Sequence, residues 1–253
     1  EEFGRACVPG PWLATTWTAT LLQAIGGESA KQLLPSLVDG SKKMAVCALE
    51  AGGSWKLRSD HLETTLIVGK LNGQKQLVQN AGKADHLIVP ARSNNELALV
   101  VVATDAAGIT MEATPGIDAT RTLYRVTFQD VAIADGHVLT TGADAARAWK
   151  AAMQTMTVVA AAEMLGGQDW MLHETVEYAK TRKQFGKTIG SFQAVQHMCA
   201  DILQYTESAR AAVWYAAWAV EEGTDDVDQA VSVAKAYTSD AARKSGNLSI
   251  QSH

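Results

Sequence analysis

The stretch TRKQFGKTIGSFQAVQH, residues 181–197, decides how this chain is read. Upstream of it, residues 143–180 carry a long helical pattern. Downstream, a second helix is expected from near Phe192, with Val195, Met198, Ile202, Ala209, Val213 and Ala217 on one face. Two glycines, Gly186 and Gly190, and two aromatics, Phe185 and Phe192, stand between them. A helix–helix connection in a bundle asks only for about 2–8 residues and a glycine or two. It does not ask for Arg182, Phe185 and Gln193, which are therefore candidates to bind something.

Working outward, a third helix is expected over 227–250. Long helices joined by short loops predict an antiparallel bundle over 141–253. Residues 44–140 have a different texture. TTLIVGKLNGQKQLVQNA, HLIVPAR, LALVVVAT and YRVTFQDVAI are β-branched runs separated by turn residues, which predict an antiparallel β domain. Within it, Asn72-Gly73 is a hairpin-turn signal. Residues 12–40 show helical spacing (Leu13, Trp17, Leu21, Leu22, Ile25, then Leu33, Leu34, Leu37), so 1–43 is read as the end of an N-terminal helical domain. The fold class is mainly α with a central β domain and no alternating β–α pattern. The opening EEFGRACVPGPW begins as if inside a helix, and NLSIQSH stops without a cap, so residues are expected to be missing at one or both ends.

The 253 residues are 47% hydrophobic and 19% charged, an ordinary globular composition, and the net charge of −5 argues against nucleic acid or an anionic membrane as partner. Cys7, Cys47 and Cys199 are far apart with no CxxC pair, which points to a reducing, cytoplasmic setting. The six histidines form no HxxxH or HExxH array, so no metal site is expected. No signal peptide opens the chain. The run AAMQTMTVVAAAEMLGG contains Gln154 and Glu163 and is too short to span a bilayer. Gly186-Lys187-Thr188 ends like a P-loop, but the glycine that motif needs is Thr181, and a helix precedes it where a strand should. No GxGxxG, GxSxG or Ser/His/Asp constellation stands out.

The order helices, β domain, bundle and the string RKQFGKTIGSFQAVQHMCADI (182–202) together resemble the acyl-CoA dehydrogenase family. The carriers are Arg182, Phe185-Gly186, Ile189, Phe192-Gln193 and Ala200-Asp201. Weaker echoes, EEFGRACVPGP, LLPSLVDG, LNGQKQLVQNAGKADHLIV and VTFQDVAI, follow in order. The resemblance implies an α domain, a β domain and a C-terminal four-helix bundle, with bundles pairing into dimers, usually within tetramers. It implies FAD lying across the dimer, its flavin against one subunit's β domain and its pyrophosphate and adenosine against the neighbour's bundle. It further implies that Arg182, Gln184, Phe185, Ile189, Phe192 and Gln193 contact a partner subunit's FAD, the Arg182 guanidinium as a fork donor to phosphate oxygens. The family reaction is α,β-dehydrogenation of an acyl-CoA thioester, in which a carboxylate takes the α proton and the β hydrogen leaves as hydride to the flavin.

The chain departs from the family near the flavin. A Thr-Glu-Pro, then Gly-Ser-Asp pattern is here ALEAGGSWK: Glu50 survives, Leu49 replaces the Thr, Ala51 the Pro, and Trp55 falls near the Asp. A Lys-x-Trp-Ile-Thr-Asn pattern is here KQLVQN, with Leu77 for Trp and Gln79 for Thr. Where some members place a base on the first bundle helix stands Met156, followed by Thr157; Glu163 lies about two turns on and reads as a surface or interhelix charge. The half-site serving a neighbour's FAD is retained and the chain's own flavin side is degraded. This asymmetry is that of heteromeric members, known from actinobacterial steroid side-chain degradation. The leading expectation is therefore a non-catalytic or half-catalytic subunit of a heterotetramer acting on an acyl-CoA, with a steroid-CoA as the expected class. A homomeric enzyme with its Glu beyond residue 253, and a scaffold subunit that touches no FAD, stay open.

Overall fold

The computed structural model describes residues 1–53 and 61–253, so Trp55 lies outside the described residues. Contacts divide the chain into two compact units, Pro9–Met153 and Glu1–Val8 with Gln154–His253.

In the first unit, α2 (Trp12–Ile25) and α3 (Gly27–Val38) follow a short α1 (Glu2–Arg5) that belongs to the other unit. Gly26, at φ 63°, stops α2, its N–H bonding to the Leu22 carbonyl. A nine-stranded sheet follows: β1 (Met44–Val46), β2 (Leu49–Glu50), β3 (Thr65–Ile67), β4 (Lys70–Gln79), β5 (His86–Ser93), β6 (Glu96–Ala103), β7 (Ile109–Thr114), β8 (Leu123–Ala132) and β9 (Val138–Thr141). Its main path runs β7-β8-β4-β3-β5-β6-β9, with β1 on β5 and β2 on β4. The sheet is predominantly antiparallel, as expected; among the described residues the exceptions are β1 and β3, which pair parallel to β5.

Alternation along the strands builds a core on each face. Leu87, Val89 and Ala91 of β5 join Val100 and Val102 of β6, Leu71 and Val78 of β4, and Val126 and Phe128 of β8 on one side. Ile88, Leu97 and Leu99 face the other side, against Leu21, Leu22 and Leu37 of α2 and α3 and against Ala145, Trp149 and Ala152. The near-continuous apolar runs of β5 and β6 are the signature of strands buried on both faces. Each buried Val, Leu or Ile among them contributes roughly 1.5–3 kcal/mol on burial.

The expected Asn-Gly hairpin is not where the chain turns. The β3–β4 turn is Val68-Gly69, both in the left-handed region (φ 48° and 67°), and Ile67 pairs with Lys70. Asn72 and Gly73 lie inside β4, at a register shift against β8. Gly73 is needed there for contact: at φ 143°, a Cβ on it would lie 2.6 Å from the Thr64 Cα. Asn72 ties the bulge to β8, donating to Asp130 Oδ1 (3.1 Å) and accepting from the Asp130 N–H (2.9 Å).

Three long helices follow: α4 (Gly142–Thr181), whose first turns pack in the first unit, α5 (Gln193–Glu222) and α6 (Val227–Ser252). Alanine fills their seams. Ala161 and Leu165 of α4 meet Ala209 and Val213 of α5 and Ala241 of α6. A second cluster joins Val158, Ala216, Ala219, Ala230, Val231 and Ala234. Short side chains let the axes approach closely. α1 docks on α4 by glycine contact: a Cβ on Gly4 would meet the Glu163 carbonyl oxygen at 1.9 Å, and one on Gly166 the Glu1 carbonyl oxygen at 1.9 Å. Arg210 adds an ion pair to Asp169 at 2.8 Å, and Arg5 pairs with the same carboxylate.

Candidate functional site

The stretch between α4 and α5 is a small hairpin, an arrangement the sequence showed only as a loop. Strands β10 (Lys183–Gln184) and β11 (Lys187–Thr188) pair antiparallel across the two-residue turn Phe185-Gly186. Both turn residues have positive φ, 52° for Phe185 and 78° for Gly186, the backbone of a type I′ turn. Glycine adopts it freely; phenylalanine does so at a cost of about 1–2 kcal/mol. That strained turn thrusts Phe185 outward, 91% exposed. Gly190 serves a different end, because a Cβ there would come within 2.9 Å of the Ala179 carbonyl oxygen, so the glycine lets the chain turn back onto α4.

The six residues expected to bind are brought together on this hairpin and the start of α5. Arg182 directly follows α4; its carbonyl accepts from the Ile189 N–H at 2.8 Å, while its guanidinium has no hydrogen-bond or ion-pair partner among the described residues. Gln184 is exposed on β10 opposite Lys187. Ile189 and Phe192 are half-buried, Phe192 immediately before α5, and Gln193 is the exposed first residue of α5. Phe185 and Phe192 meet edge to face at 6.1 Å, and the Lys187 ammonium stands 4.4 Å above the Phe192 ring. Sequence reasoning did not single out Lys187.

No Asp or Glu occurs between Glu177 and Asp201, whereas Lys180, Arg182, Lys183 and Lys187 do. An unpaired fork cation, flat apolar rings and exposed amides suit a ligand that joins phosphate oxygens to a planar ring system.

The positions expected on the flavin side form a separate group within the first unit. Leu49, on β2, and Leu77 and Gln79, on β4, line one cavity of about 50 Å³ together with Ala14, Trp17, Val46, Ala48 and Gln76. Trp17 is the wall that sequence reasoning missed; it shows there only as one apolar position of a helix. Glu50 points away from this cavity. Its Oε1 accepts from Lys75 Nζ at 2.6 Å and its Oε2 from Thr64 Oγ1 at 3.0 Å, with both charged side chains almost wholly buried. Burial pushes the Lys75 ammonium below its ordinary pKa, against the opposing pull of Glu50. Burial also pushes the Cys47 thiol up to about 12, so this cysteine is not a nucleophile at neutral pH. Met156 is buried on α4 and Glu163 half-buried. Among the described residues there is no His, Cys, Asp and Glu grouping fit for a metal, and no helix is long and apolar enough to cross a membrane.

Comparison with known proteins agrees with this fold. The family model described as Acyl-CoA dehydrogenase, C-terminal domain, matches residues 139–253. The Bacillus subtilis protein named "Probable acyl-CoA dehydrogenase YngJ" is 30% identical over 275 residues, covering 100% of this chain and 70% of its own length. A variant of the Tcur3481-Tcur3483 steroid ACAD superposes with a TM-score of 0.84 at 30% identity, covering 99% of this chain and 67% of that one. The structure of PigA with FAD and proline superposes with a TM-score of 0.83 at 26% identity, covering 95% of this chain and 65% of that one. The chain belongs to the acyl-CoA dehydrogenase family. It spans 62% and 31% of the lengths of two further curated relatives.

Proposed function

We propose that this chain is a subunit of an FAD-dependent acyl-CoA dehydrogenase that completes the FAD site of a second, different family subunit in a cytoplasmic heterotetramer. The observation that carries the proposal is the contrast between its two half-sites. The α4–α5 hairpin offers an unpaired Arg182 and an exposed Phe185, whereas the flavin-side cavity is small and walled by Leu49 and Leu77. Arg182 holds the pyrophosphate, Phe185 packs on the cofactor, and Gln184, Ile189, Phe192 and Gln193 complete the cradle. The bound flavin supplies hydride acceptance in the α,β-dehydrogenation of an acyl-CoA. The buried Met156 offers no proton acceptor, and in this reading the base is the partner's. Likeness to the Tcur3481-Tcur3483 steroid ACAD supports both the heteromeric assembly and a steroid side-chain CoA as substrate.

The test is the visible flavin spectrum of this protein, purified alone and co-expressed with a second acyl-CoA dehydrogenase subunit. Colourless alone and yellow with its partner, at about one FAD per heterodimer, is the expected result. Stoichiometric flavin in the isolated chain, with oxidation of an acyl-CoA, would replace the proposal with a homomeric enzyme. Unchanged partner flavin in the Arg182→Ala assembly would favour a scaffold that touches no FAD.

A further inference from the structure

Lys187 is the one cation of the hairpin whose ammonium lies on an aromatic face. Lys180 is paired with Glu177 at 2.6 Å, and Arg182 is unpaired among the described residues. Lys187 sits on β11 opposite Gln184, and its Nζ stands 4.4 Å from the Phe192 ring centroid. Phe192, in turn, meets Phe185 edge to face at 6.1 Å. Lys187 and Phe185 thus both contact Phe192, the half-buried residue just before α5, and Phe185 is the most exposed ring of the hairpin. An exposed phenylalanine in a left-handed turn has few contacts to hold its ring. Its edge contact with Phe192 is one such contact, and the ammonium restrains the ring of Phe192.

We propose that Lys187 is a positioning residue for FAD, holding the Phe192–Phe185 pair in the orientation that receives the cofactor rather than contacting its phosphates. The inference rests on the FAD-completing role proposed above and adds to it a residue that acts through another. A cation on a partly exposed phenylalanine face contributes enough to change affinity roughly two- to five-fold.

The experiment uses the assembled complex, stripped of flavin and titrated with FAD, and reads binding from the quenching of flavin fluorescence. Lys187→Met, Phe192→Leu, their double variant, Lys187→Arg and Arg182→Ala are compared, with thermal unfolding confirming that each assembly is intact. The expected result is a roughly two- to five-fold weaker Kd for Lys187→Met, near-complete rescue in Lys187→Arg, and no added loss from Lys187→Met once Phe192 is leucine. The slope of log Kd against log salt should be the same in Lys187→Met as in the parent, since no phosphate contact is lost. Additive losses in the double variant, or a shallower salt slope, would overturn the inference and make Lys187 a direct phosphate ligand. An unchanged Kd in Lys187→Met with a weakened Arg182→Ala would also overturn it, leaving the parent proposal standing. Unchanged binding in both would sink the parent proposal itself.

Discussion

Lys75 Nζ lies 2.6 Å from Glu50 Oε1, and neither side chain has more than a trace of solvent contact. The two residues are register partners on β4 and β2, and Thr64, just before β3, closes the cluster on the other carboxylate oxygen. One residue along β2, Leu49 looks into the cavity on the far side. The pair thus ties together the strands that carry one wall of that cavity.

Removing one member leaves the other as an uncompensated buried charge. Glu50→Leu or Lys75→Met should each destabilise the protein by about 3–5 kcal/mol. Replacing both together, as Glu50→Leu with Lys75→Met, should recover most of that loss, because apolar side chains of similar volume often replace a buried pair at little cost. Urea unfolding of the four species measures the coupling; additive losses would show that the two charges do not depend on each other.

The β3–β4 turn invites a substitution of opposite sign. Val68 is 95% exposed and held at φ 48°, a conformation that a β-branched residue resists. Asparagine accepts it, and Asn-Gly is the preferred type I′ pair, so Val68→Asn should stabilise by about 1 kcal/mol. Gly73→Ala should destabilise by about 2–3 kcal/mol, since the added Cβ meets the Thr64 backbone in a strained conformation. Thermal unfolding compares both with the parent.

That same turn marks where the sequence was legible and where it was not. Asn72-Gly73 is the better turn by local preference, but Thr64 crowding against Gly73 and the Asn72–Asp130 bonds are tertiary facts, and they pull the dipeptide into a bulge. The long helices were legible because their apolar spacing persists over many turns. The strands were legible because β-branched runs end at turn residues. Arg182 and Phe185 stood out because a helix connection has no need of them. Lys187 did not, because its contact with Phe192 exists only once the hairpin folds. The Trp17 wall was hidden for the same reason, as helix periodicity cannot say which apolar residue borders a cavity.

Leu49, Leu77 and Gln79 share one cavity, so they can be tested as a set. Installing the family's residues, Leu49→Thr, Leu77→Trp and Gln79→Thr together, restores two hydroxyl donors and a flat wall. The ratio of flavin to protein absorbance in the assembled complex should then rise above that of the parent. An unchanged ratio would mean that these three residues do not by themselves limit flavin binding at this cavity.

His86 gives the fold a pH dependence of definite sign. It opens β5, and its Nδ1 is buried without a hydrogen-bond partner among the described residues. Burial lowers its pKa below the ordinary 6.5, and Lys42 and His137 push the same way against Asp85 and Asp105. The folded state therefore binds its proton less readily than the unfolded chain. Well above pH 6.5 the ring is neutral in both states and nothing is lost. As the pH falls below that value, the unfolded state takes up the proton first, and stability declines until the folded ring also titrates. His86→Asn removes this contribution. The difference in unfolding free energy between parent and variant should therefore shift against the parent as the pH falls from about 8 to about 5. A difference independent of pH, or a His86 proton resonance titrating above 6.5 in the NMR spectrum, would show that the ring is not held in its neutral form.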